Sequence, residues 1–133
     1  YAQYDGLGLA ELVRRREVSP VDLVETALAA IERLNPQVNC VVQQLRDDAL
    51  AEIKAGLPYG PFRGVPFLVK EFGMHFKGMR TSAGSRLAAG VQFGNDSEMM
   101  KRCRAAGLVT IGTTTTPLNL TNPIGIQPFL IFR

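Results

Sequence analysis

Gly64-Val65-Pro66-Phe67-Leu68-Val69-Lys70-Glu71 is the stretch on which the fold turns. Val65 to Val69 is a short apolar run, too short for a core helix, and it reads as a buried strand. A loop dense in glycine and proline, Gly56 to Gly64, delivers the chain into it. Lys70 follows at the strand end, at the edge of a core, where desolvation lowers the pKa of an amine and equips it as a general base. The plainer alternative is a lysine that extends its stem over the core and leaves its charge in water.

Upstream of this strand the pattern is helical. Leu9, Leu12 and Val13 share a face in a short amphipathic helix over Leu9 to Glu17, with Asp5 and Gly6 as its entry turn. Ser19-Pro20-Val21-Asp22 opens a second helix, with serine at the cap, proline at the first helical position and an acid to return the bond. Val21, Val24, Leu28 and Ile31 form its apolar face, and Asn35-Pro36 ends it. Val38 to Leu45 reads as a strand, and Asp47-Asp48 opens a helix through Leu50 and Ile53 to Gly56.

Downstream, a loop holds Gly73, Gly78 and Gly84. Asn95-Asp96-Ser97-Glu98 then caps a helix through Ala106 that stops at Gly107, and Leu108 to Ile111 is another buried strand. Apolar runs alternating with amphipathic helices predict an α/β fold whose strands are covered on both faces.

With 133 residues, 46% of them apolar, the chain suits one ordinary globular domain. Charges such as Arg14, Glu25, Asp47, Lys70 and Arg102 interrupt every apolar stretch, so no membrane span is expected. Tyr1 to Asp5 lacks the basic and apolar regions of a secretory signal, and the reading is cytoplasmic, with residues before Tyr1 left open. The two cysteines, Cys40 and Cys103, lie far apart in patterns that look buried; neither a disulfide nor a metal site is expected. The net charge of +3 is modest, and Arg14-Arg15-Arg16 reads as a solvated helix end rather than a nucleic-acid patch.

Few other residues invite chemistry. His75, the single histidine, sits in a glycine-containing loop, and no Gly-x-Ser-x-Gly elbow exists for a histidine triad. Ser19 and Ser97 are explained by helix starts, which leaves Ser82 and Ser85 as serines able to approach Lys70, although turn formation also accounts for them. Thr113 to Thr116 reads as a polar turn or strand end. Asp47 and Asp48 suit the first turn of a helix. No phosphate-cradling glycine pattern is present, and no cofactor is expected.

Taken in order, Ser19-Pro20-Val21-Asp22-Leu23-Val24, Asn35-Pro36-Gln37-Val38-Asn39-Cys40-Val41-Val42, Gly64 to Glu71, Thr81-Ser82-Ala83-Gly84-Ser85 and Arg104-Ala105-Ala106-Gly107-Leu108-Val109-Thr110-Ile111-Gly112 resemble the amino-terminal third of amidase signature enzymes. The resemblance runs from about Leu9 to Pro117. It implies a mixed sheet covered by helices, incomplete at the carboxyl end, and hydrolysis of carboxylic amides by a Ser, cis-Ser, Lys triad. Lys70 matches the family's lysine, whose implied role is to take a proton from a bridging serine that activates the nucleophile.

The departures are specific. Glu71 stands where the family usually has aspartate, and Gly112-Thr113-Thr114-Thr115-Thr116-Pro117-Leu118 replaces a segment that more typically reads Gly-Lys-Thr-Asn-Thr-Pro-Glu. The Gly-Gly-Ser-Ser-Gly-Gly loop that carries both serines in the family does not follow. The expected division is therefore an amidase-like segment, residues 1–117, and a divergent tail, residues 118–133. Three expectations compete: a truncated or split amidase, inactive alone, that needs a complementing chain or self-associates; a binding or regulatory module derived from an amidase; and a basic nucleic-acid binder built on Arg14 to Arg16. A small-molecule amide substrate belongs to the intact family.

Overall fold

The structure, a computed structural model, describes residues 3–82 and 90–115. Helix α1 spans Gly6–Arg14, starting ahead of the expected Leu9 because Asp5 is its cap: the Asp5 carboxylate accepts from the Gly8 amide at 2.7 Å. Helix α2 spans Pro20–Val38 and opens on the expected capping box, in which Ser19 and Asp22 satisfy each other's backbone amides.

Pro36 does not end α2. So close to the helix terminus its missing N–H costs a single bond, and the turn is closed by the Asn39 amide on the Asn35 carbonyl. Asn39 then adopts φ 49°, and the Asn35 side chain bonds both the amide and the carbonyl of Val41. The chain is thereby turned into strand β1, Val41–Gln44, which is shorter than the expected Val38 to Leu45 because α2 runs through Val38 with Asn39 as its cap and Leu45 caps α3.

Helix α3, Arg46–Ala55, closes at Gly56 as expected. Its buried residue is Ala49, while Leu50 and Ile53 are half-buried. Strand β2, Pro66–Lys70, follows the loop; β3, Arg80–Thr81, and β4, Val91–Gln92, form a small antiparallel ribbon; α4 spans Glu98–Ala105 with Ser97 as cap. Strand β5 spans Val109–Thr114, running past Ile111 into the threonines, with Thr113 fully buried.

The main sheet has the order β1-β5-β2, with β1 antiparallel and β2 parallel to the central β5. This is the mixed sheet of an α/β fold, as the sequence implies. Leu68, Val109 and Ile111 face Val24, Leu28 and Ile31 of α2 and Ala49 of α3. Alternation sends Phe67 and Val69 to the opposite face, where Phe76, Met79 and Met100 of α4 cover them. A third cluster joins Leu9 and Ala10 of α1 to Leu23 and Val65. Helix and loop thus cover both faces.

The return from α4 depends on Gly107. It adopts φ +89°, and a Cβ there would lie 2.6 Å from Arg63 Cα. This close approach lets the Gly64 amide bond the Gly107 carbonyl at 2.9 Å and joins the loop before β2 to the turn before β5. Both parallel strands consequently start level, and their carboxyl ends finish together. Among the described residues no helix is long and apolar enough to cross a membrane.

Candidate active site at the carboxyl ends of β2 and β5

The side-by-side register of the two parallel strands brings Lys70 opposite Thr114, at the end where open α/β sheets characteristically form crevices. The Glu71 amide continues the ladder by donating to the Thr114 carbonyl at 3.1 Å. On the far side of β5, Val41 pairs with Thr114 and the Thr115 amide donates to the Cys40 carbonyl at 2.8 Å. The sheet end is therefore held from both flanks.

Lys70 is exposed and, among the described residues, its ammonium has no hydrogen bond or ion pair. Its location is fixed through its backbone, which β5 holds along the whole of β2.

Glu71 is the more tightly held neighbour. Its carboxylate accepts from the Ser82 hydroxyl at 3.1 Å and lies 3.4 Å from the Ser82 amide nitrogen, while its carbonyl accepts from the Thr81 hydroxyl at 3.0 Å. Ser82 thus comes to the residue beside Lys70. Ser85, Thr116 and Pro117 lie outside the described residues. The sequence flags Ser82 as able to approach Lys70 but treats Glu71 merely as a substituted aspartate; the available signal was an acid followed ten residues later by two adjacent hydroxyl side chains.

His75 stands apart from this constellation in its role. Its ring stacks on Phe93 with centroids 4.1 Å apart, and its backbone exchanges bonds with Ser97, so it is a packing and loop-fixing residue. An open, largely apolar groove of about 380 Å³ runs along Glu71, Phe72, Met74, His75, Thr81 and Phe93. A second cavity, of about 320 Å³, has a mixed lining; Arg104 lines it and spans Glu52 of α3 and Asp96. Arg104 Nε is 3.0 Å from Asp96 Oδ2 but poorly aligned for a hydrogen bond, so we read that contact as an ion pair alone.

Arg14 and Arg15 both pair with Glu11, and Arg15 also reaches Glu17. The hydrogen bond from Arg15 holds the Glu11 carboxyl below its ordinary range. These are solvated contacts at a helix end, the arrangement the sequence suggests. Cys40 and Cys103 are free and half-buried, more open than their sequence patterns imply. Among the described residues no group of three or more His, Cys, Asp or Glu could hold a metal ion.

Three comparisons bear on this geometry. The family model named Amidase matches residues 22–122. The chain is 35% identical over 126 residues to 6-aminohexanoate-cyclic-dimer hydrolase of Paenarthrobacter ureafaciens, covering 93% of this chain and 25% of that protein. It is 38% identical over 118 residues to lipoamidase of Enterococcus faecalis, covering 88% of this chain and 16% of that protein. Among solved structures, a 6-aminohexanoate cyclic dimer hydrolase superposes with a TM-score of 0.81 at 33% identity, covering 88% of this chain and 24% of the other. The chain thus spans a quarter or less of the length of these relatives.

Proposed function

The chain belongs to the amidase family, and on that premise we propose that its 133 residues carry the general base, Lys70, of a hydrolase of carboxylic amide C–N bonds. The observation that carries this reading is the pairing of Lys70 with Thr114 at the shared carboxyl end of β2 and β5, within the segment that resembles the family's lysine motif.

In this reading Lys70, as the free amine, accepts the proton of a bridging serine. That serine takes the proton of the nucleophilic serine as its oxygen adds to the amide carbon. The proton on Lys70 returns through the same path to the departing amine. Lys70, at a strand end and without an ion-pair partner among the described residues, is available for such exchange. Two of the relatives are named as a 6-aminohexanoate-cyclic-dimer hydrolase and a lipoamidase, which supports a carboxylic amide as the substrate class.

No Gly-Gly-Ser-Ser-Gly-Gly stretch occurs in these 133 residues, so the serine pair of the resembled family is not among them. Loss of a single oxyanion donor costs on the order of a hundredfold in rate, and the loop that carries those donors in the resembled family is not among these residues. We therefore expect no hydrolysis when the polypeptide is incubated alone with an aryl amide. Release of the aryl amine above buffer, abolished in Lys70→Ala, would overturn that part of the reading.

A further inference from the structure

We propose that Glu71 is a positioning residue for Lys70, acting as a latch that ties the Thr81-Ser82 segment to the end of β2. The proposal rests on the reading of Lys70 as the general base, and it concerns how that base is held.

Lys70 has no side-chain partner among the described residues, so whatever aims its amine must act through the backbone at the strand end. On its amino side that backbone is secured by the ladder to β5. On its carboxyl side the next residue is Glu71, which is secured three ways. Its amide donates to Thr114, its carbonyl accepts from the Thr81 hydroxyl, and its carboxylate accepts from the Ser82 hydroxyl with the Ser82 amide close by. Beyond Glu71 the chain runs through exposed Phe72 and Gly73, the latter at φ +93° with nothing within 4 Å of where a Cβ would stand, so among the described residues these two add little packing at the strand end. The latch joins β2 to β3 at the point where the lysine leaves the sheet.

A carboxylate accepting two donors makes stronger bonds than a neutral acceptor, because the acceptor is ionised. The half-buried site limits competition from water. Aspartate, one methylene shorter, keeps the charge and both acceptor oxygens; alanine keeps neither.

The test uses the 133-residue chain, with reductively ¹³C-methylated lysines and a ¹⁵N-labelled backbone. Lys70→Arg identifies the Lys70 signal. In Glu71→Ala we expect amide exchange at Ser82 to accelerate by about tenfold or more, as the loss of one charged hydrogen bond implies. The Lys70 methyl resonance should shift and broaden, while core amides of β5 such as Ile111 keep their protection. Glu71→Asp should restore both signals, which a loss of general stability would not explain. Ser82→Ala, which removes the hydroxyl donor and leaves the amide, should give a smaller change in the same direction, and it serves if Glu71→Ala does not fold. Unchanged Ser82 exchange and an unchanged Lys70 resonance in Glu71→Ala or in Ser82→Ala would overturn the latch. These signals report geometry and not turnover, so they stand or fall separately from the hydrolase reading.

Discussion

Thr113 buries a hydroxyl completely, and among the described residues no atom accepts from it or donates to it. A buried polar group without a partner loses its hydration and regains nothing, whereas a methyl of the same shape would simply pack. Thr113→Val should therefore leave the chain as stable or raise its stability by about 1 kcal/mol, measured by denaturant unfolding; a clear loss would show that the hydroxyl is satisfied. Gly107 presents the reverse case, a position where a single methyl has no room. Gly107→Ala combines a positive φ with a Cβ 2.6 Å from Arg63 Cα, and a destabilisation of roughly 3 kcal/mol follows. Equal midpoints for Gly107→Ala and its parent would refute the close approach. Residue by residue, the sequence located Lys70 at a strand end because a short apolar run has only one sensible end. It could not show that Glu71 binds Ser82, since that contact depends on a ribbon between two-residue strands that carries no periodicity.

Helix α2 shows how far local chemistry alone sets an element. Its start was legible because the cap, the proline and the returning acid all lie within four residues and need nothing from the rest of the molecule. The side-chain bond from Ser19, followed by the bond from the Ser19 backbone amide, holds the Asp22 carboxyl below its ordinary range. A carboxyl depressed in the folded state contributes stability above its unfolded pKa and loses that contribution as pH falls through the folded value. The stability difference between the parent and Asp22→Asn should accordingly be constant near neutrality and close on acidification below the ordinary aspartate range. Urea titrations of both proteins between pH 7 and about pH 2.5 would check this, and a gap independent of pH would contradict it. The ends of elements were less legible where distant residues decide them. The reach of β5 into the threonines depends on pairing with Val41 and Lys70, and the passage of α2 through Pro36 depends on the Asn35 clamp on Val41.

For the molecule as a whole, the α/β class was readable because helical and strand periods alternate along the chain, and the mixed sheet accords with it. The order β1-β5-β2 was not readable, since it is set by which apolar faces meet, and nothing local to Val41 or Val65 records that. In that sheet β1 and β2 each have one neighbour among the described residues, consistent with a segment that spans a quarter or less of its relatives. The central claim is that this segment brings the base of an amide hydrolase. Its most direct test is complementation: the purified chain is mixed with a polypeptide comprising the relative from Paenarthrobacter ureafaciens without its matching first quarter, and hydrolysis of the 6-aminohexanoate cyclic dimer is followed. The account predicts turnover from the mixture and from neither part alone, lost by at least about a hundredfold in Lys70→Ala and retained in Lys54→Ala, a change at an exposed lysine of α3. Turnover by the mixture that persists at full rate in Lys70→Ala would contradict it.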